Sequence, residues 1–313
     1  MKAVAAAGGR RAAWRRLRLG LPTILGLARR GFFIPYRYAD RLPPAGARPP
    51  YPAIEARLAA ATPAFLERLA SLAVHREALA SIGGAPPAPR WTQDWFPRLD
   101  AAIAYGLTRD RRPARIVEVG SGHSTRFFAR AIADGGIATR LTAIDPAPRA
   151  QLSGLAVEWL RDAVPGVGMA PFAALAAGDF LFIDSSHVLM PGSDVDFLIN
   201  RLLPSLPPGV LVHLHDVFLP DDYPADWEWR GYNEQLAVAA LVAGGHWQVR
   251  FASHYVATRL ADAVAASAAA PLPLGAGGGA LPMLASASRC TARLASRSRN
   301  AGIAAASRAS IAG

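Results

Sequence analysis

Apolar and polar positions divide this chain into stretches of different rhythm. From Pro113 to about Leu260, short apolar runs alternate with segments whose apolar residues recur at helical spacing. The runs "RIVEVG", "RLTAID", "AVEWLRD", "DFLFID", "GVLVHLHD" and "HWQVRFA" read as strands. Strands alternating with helices predict an α/β fold, Rossmann-like and doubly wound, with a mostly parallel sheet covered on both faces. Before Pro113 the rhythm is helical. Thr62-Pro63 opens a helix carrying Phe65, Leu69, Leu72 and Leu79. A second is predicted from about Gln93 to Leu107, with Trp95, Leu99 and Ile103 inward. Beyond Leu260 the chain turns to Ala, Ser, Gly and scattered Arg, and no periodic apolar face survives. Such a segment cannot bury enough surface to offset its ordering entropy and is expected to be disordered.

The predicted organisation follows from these changes. Residues 1–50 form a basic extension and a proline-rich connector, "RLPPAGARPPYP". Residues 51–112 form a helical cover, 113–260 the sheet domain, and 261–313 the tail.

Charge changes the picture only once it is located. The 313 residues carry a formal charge of +11, which by itself suggests nucleic acid or an acidic membrane. Residues 1–30 hold eight basic side chains and no acid, whereas 31–260 hold 21 basic and 22 acidic ones. The folded part is thus nearly neutral, which speaks against a nucleic-acid enzyme. Within residues 10–30, Trp14, Leu17, Leu21 and Ile24 can share a helical face among arginines, although Pro22 interrupts that helix. This arm suits either peripheral membrane contact or packing on its own domain. Its apolar run, Leu19 to Ala28, is too short to span a bilayer and leads into Arg29-Arg30 rather than a cleavage site. The single cysteine, Cys290, excludes a disulfide framework and a cysteine zinc site, and a cytoplasmic location is expected.

The stretch "RIVEVGSGHSTRFFARAI" reads as strand, glycine turn and helix. Its loop Gly120-Ser121-Gly122 lacks the third glycine of a dinucleotide fingerprint, because Thr125 stands there. Glu118, at the strand end, would repel a pyrophosphate but suits an ammonium group. Ser124 and Thr125 can cap the following helix, whose N-terminus favours a carboxylate. Amine and carboxylate together describe an amino acid. Asp145, 25 residues after Gly120 at the end of the next strand, stands where a carboxylate holds a ribose diol. An amino acid joined to a ribose describes S-adenosylmethionine.

At this point the sequence resembles the class I S-adenosylmethionine-dependent methyltransferases. "FIDSSH" and "PPGVLVHLHD" resemble the strand ends of bacterial stand-alone methyltransferase-domain proteins, as do "RGYNEQ" and "GFFIPYRYAD". The resemblance covers roughly 31–260 and implies the cofactor, a seven-strand sheet and methyl transfer. It also implies a contact between Asp162 and adenine, where the residue read alone is a surface acid beginning a turn.

Four titratable groups converge on the carboxyl edge where the methyl group would emerge: Asp184, His187, His215 and Asp216. His187 or His215 suits a general base that removes a hydroxyl proton, with Asp184 beside it. Alternatively Asp184 and Asp216 could hold Mg²⁺ with a histidine as a further ligand. Strand alternation puts His213 and His215 on one face and Asp216 on the other, and His213 reads as a core histidine. O-methylation of a small molecule is the leading expectation. A nicotinamide-dependent oxidoreductase and a non-catalytic, membrane-recruited cofactor-binding module are the alternatives.

Overall fold

The structure, a computed structural model, describes residues 9–275 and 283–289, with side chains from 13 to 275. Five strands pair in parallel: β1 (Arg115–Val119), β2 (Arg140–Ile144), β3 (Glu158–Leu160), β4 (Phe180–Ile183) and β5 (Leu211–Val217), in the order β3-β2-β1-β4-β5. β6 (Trp247–Ala252) is bonded to none of these. It joins the sheet through β7 (Met283–Arg289), which runs antiparallel between β5 and β6. The parallel part therefore has five strands rather than seven. β1 and β4 are buried along almost their whole length, as strands covered on both faces must be, and this is why they read as unbroken apolar runs.

β1 pairs with β2 on one side and β4 on the other, so the order of strands reverses beside it. Such a reversal opens a crevice beyond the carboxyl ends of the strands. Backbone bonds pin its floor: the Gly120 N–H reaches the Ile144 carbonyl at 3.0 Å, and the Asp184 N–H reaches that of Val119 at 2.8 Å.

The helices before β1 share the sheet's core. Helix Thr62–Ser71 packs on β6, with Phe65 edge-on to Phe251 at 5.8 Å. Helix Arg98–Arg111 lies beside helix His123–Gly135, and the Tyr105 hydroxyl donates to Asp134 at 2.6 Å. This helix begins at Arg98, not Gln93. Gln93 Oε1 takes the N–H groups of Trp95 and Phe96 at 2.8 and 2.7 Å, so they are bent into a turn before Pro97. In consequence Phe96 is buried and Trp95 is 52% exposed.

Two expectations for the extensions need correction. The arm forms a helix, Gly9–Ile24, that runs through Pro22. Proline in the last turn removes one backbone bond, and the Thr23 hydroxyl bonds the Leu19 carbonyl at 2.8 Å there. The stretch expected to be disordered from 261 onward is ordered as far as it is described. Helix Ala261–Ala266 is followed by buried Ala268, Ala269 and Leu272. The Arg98 guanidinium donates to the Ala270 and Leu272 carbonyls at 3.0 and 3.2 Å. Small residues pack here without a periodic stripe, because a side chain from elsewhere satisfies their backbone. Cys290 lies outside the described residues.

Candidate active site

A pocket of about 320 Å³ occupies the crevice, with Gly120, Ser121, Asp145, Asp162 and Asp184 in its wall. Gly120 has φ +78°, and a Cβ there would be driven into the Asp184 carbonyl, so only glycine lets the loop turn this close to β4. Asp145 fixes the loop: one oxygen accepts from the Ser121 N–H at 2.7 Å and its hydroxyl at 3.0 Å, the other from the Ala147 N–H at 2.7 Å. Asp162 accepts from the Ala163 N–H at 2.7 Å and faces the same space.

Two other predicted cofactor residues, Glu118 and Ser124, stand behind the loop, and Gly122, within it, does not line the pocket. Glu118 is fully buried and does not line the pocket. One of its oxygens accepts from the Ser124 hydroxyl at 2.5 Å and the other has no partner among the described residues. Burial, then the nearby charges of Asp184 and Asp145, raise its pKa against the bonds from Ser124 and Thr125, up to about 8. Ser124 thus serves Glu118, while Thr125 closes the turn by accepting the Gly122 N–H at 2.9 Å. These residues shape the loop from within.

The carboxyl edge of β4 and β5 gathers all four expected titratable groups. His187 is 1% exposed. Its Nδ1 lies 2.8 Å from Glu234, and its Nε2 lies 3.1 Å from Asp184 and 3.4 Å from Asp216. Burial opposes its charged form, but these carboxylates outweigh that and hold its pKa well above the usual value. His215 sits 3.5 Å from Asp184, 3.3 Å from Asp216 and 3.7 Å from Asp100. Burial again works against its charge, and Asp216, Asp184 and Asp100 push its pKa up to about 9. For Asp184, burial would raise the pKa, yet the two histidines hold it well below the carboxylate range.

Asp216 does not point away from His215, as alternation predicts. Its backbone is left-handed, φ +55°, where the strand register shifts between Leu214 and Val217. That twist brings its carboxylate to the histidine side. His213 is a core residue: burial lowers its pKa well below the usual value, and its ring packs on Phe182 at 4.3 Å. His123 is likewise buried, its pKa lowered to about 4, first by burial and then by Arg126 and Arg90.

Asp184, His187 and Asp216 offer one ligand atom each within 4.8 Å of one another. The donor set, two carboxylates and an imidazole whose other nitrogen is oriented by Glu234, fits a divalent cation.

Residues 117–217 match the family described as a methyltransferase domain. Over that stretch the chain carries a methyltransferase domain. No curated protein sequence matches the chain. Among solved structures, it is similar to the S-adenosylhomocysteine-bound methyltransferase of Podospora anserina, with 16% identity, 83% of this chain and 99% of that one covered, and a TM-score of 0.38. The O-methyltransferase of tomaymycin synthesis from Streptomyces achromogenes is 21% identical over 59% of this chain and 80% of its own, with a TM-score of 0.33. An O-methyltransferase from Bacillus cereus is 15% identical over 58% and 82%, also at 0.33.

Two groups in the polar cluster escape sequence reading. Asp100, 1% exposed on helix Arg98–Arg111, has a pKa raised by burial to about 7 despite the charge of His215. Glu234 arrives on helix Glu234–Ala243 and also receives the Ser185 hydroxyl at 3.4 Å. Glu234 lies within "RGYNEQ", but nothing in that segment indicates that His187 is its partner.

Proposed function

We propose that this methyltransferase transfers the methyl group to a hydroxyl oxygen of a small molecule, at a site where Asp184, His187 and Asp216 hold a divalent cation. The supporting observation is that Asp184 belongs both to the wall of the cofactor pocket and to the acid-rich cluster. A bound cation lowers the pKa of a hydroxyl that coordinates it. The chain's own part is to fix the ligands, with Glu234 orienting His187. The general-base alternative, through His187 or His215, is less well supported, because both ring nitrogens of each already face carboxylates. A histidine ligand shifts preference from Mg²⁺ towards a transition-metal ion. Calorimetry with Mn²⁺ and Mg²⁺ on the wild type and on Asp184→Asn and Asp216→Asn is the test. Binding lost in both variants, together with chelator-sensitive turnover, is expected. Full turnover under chelation with no ion bound would remove the metal from the proposal. Methyl transfer from labelled S-adenosylmethionine to a metabolite extract judges the rest.

The proposed compartment is the cytoplasm, with peripheral membrane contact through residues 10–30. Trp14, Leu17, Leu21 and Ile24 are each 48–61% exposed along one helix, though no described helix is long and apolar enough to cross a membrane. Sedimentation with anionic vesicles should carry the full chain down, and Trp14→Ala/Leu17→Ala should not follow. Recovery of the wild type entirely in the supernatant would rule the contact out.

A further inference from the structure

A second, larger cavity of about 830 Å³ lies between the arm and the domain. Its wall contains Arg15, Arg16 and Arg30 from the arm and Arg149 and Arg230 from the domain, and no acidic residue among the described residues. None of the five forms an ion pair with a described carboxylate, although acids elsewhere on the surface do find arginines, as Asp221 and Asp222 do. Arg230 Nε is buried without a hydrogen-bond partner among the described residues. Like charges gathered around one concavity repel each other, and a bound anion relieves that repulsion.

Aromatic rings stand among these cations. Arg149 lies over Trp95 at 4.6 Å, Arg15 over Trp229 at 5.6 Å, and Arg230 over Tyr232 at 5.4 Å. Such stacking fixes each guanidinium plane while leaving its N–H edge free to donate. Arg149 also borders the cofactor pocket, so the two spaces adjoin. The volume falls in the range of small-molecule sites, about 300–1,000 Å³.

We propose that this cavity is the acceptor site, and that the acceptor is an anionic small molecule, a phosphate, sulfate or carboxylate on an aromatic or apolar frame. The guanidinium groups hold the anion, the rings hold the frame, and a hydroxyl is directed past Arg149 towards Asp184. This rests on the reading of the neighbouring pocket as the place of methyl transfer.

The test titrates the full chain with 1-naphthyl phosphate, 1-naphthol and inorganic phosphate, following tryptophan fluorescence, while calorimetry measures S-adenosylhomocysteine separately. Naphthyl phosphate is expected to bind about tenfold or more tightly than either of the others. Arg15→Gln/Arg230→Gln should weaken it by roughly 10–100-fold and leave S-adenosylhomocysteine affinity unchanged, since neither residue lines the cofactor pocket. Arg15 is exposed, so Arg15→Gln alone keeps the test valid if the double variant unfolds. Naphthol or phosphate binding as well as naphthyl phosphate would overturn the proposal, as would unweakened binding by the arginine variants. S-adenosylhomocysteine binding without naphthyl phosphate binding defeats this inference alone. Failure to bind S-adenosylhomocysteine defeats the reading beneath it.

Discussion

Gly120→Ala isolates the close approach on which the cofactor loop depends. Gly120 has φ +78°, and an added Cβ would be driven into the carbonyl oxygen of Asp184 and lie 3.0 Å from its carbon. A left-handed backbone costs an L-residue about 1–2 kcal/mol, and forced packing adds about 1–3 kcal/mol. Asp184 cannot easily retreat, because its N–H is bonded to Val119 at 2.8 Å. The sum, about 2–5 kcal/mol, predicts a melting temperature lower by roughly 4–20 °C for a chain of this size. Gly192 provides the control, with φ +80° and nothing within 4 Å of a Cβ. Gly192→Ala should therefore show only the backbone cost, about 1–2 kcal/mol. Calorimetric melting and S-adenosylhomocysteine titration of both variants separate the two effects. Gly120→Ala should lose about tenfold or more in affinity, equivalent to about 1.4 kcal/mol, and Gly192→Ala almost none. Equal melting temperatures for the two variants would refute the claim that contact with Asp184, rather than dihedral strain, reserves this position for glycine.

Three further outcomes are expected. Glu118 is raised from an ordinary 4.5 to about 8, so between those values the unfolded chain holds fewer protons than the native one and stability falls as pH rises. Glu118→Gln removes that loss, and its melting temperature should gain on the wild type between pH 5 and 8; parallel pH profiles would contradict the burial argument. Truncation after Leu260 removes the carbonyls that Arg98 holds and three buried side chains, so it should cost on the order of 3 kcal/mol or more in denaturant unfolding, and a wild-type midpoint would disprove that packing. His213→Phe should change stability by less than about 1.5 kcal/mol and leave turnover intact, because the position favours an uncharged ring; loss of turnover at unchanged stability would give His213 a catalytic role.

Legibility in the sequence tracked the range of the interactions involved. β1, β4 and β5 could be read because strands buried on both faces need continuous apolar runs, and the glycine turn because local backbone geometry demands it. A topological rule places Asp145 and Asp184 and the family resemblance places Asp162, and all three line the pocket. Asp216 was assigned to the wrong face, since nothing local announces a left-handed aspartate inside a strand. Glu118 was read as facing a ligand amine; its position at a strand end is visible in one dimension, but its burial is not. Asp100 and Glu234 meet the histidines only through tertiary packing. The same holds for the arginine-lined cavity, whose members are spread from Arg15 to Arg230.

The continuous core gives this chain two sets of borders. Kinship with the methyltransferase family runs over 117–217, but cooperativity does not stop there. Phe65, Ile103, Tyr105 and Phe251 lie outside those limits and are fully buried in the same core. Each contributes about 1.5–3 kcal/mol of burial, and together they rival the entire net stability of an ordinary domain, about 5–15 kcal/mol. A fragment cut at the limits of that match would therefore carry the glycine loop and most of the cluster yet lack the means to stay folded. The stretch that matches the family and the stretch that folds as a unit are different lengths of this polypeptide.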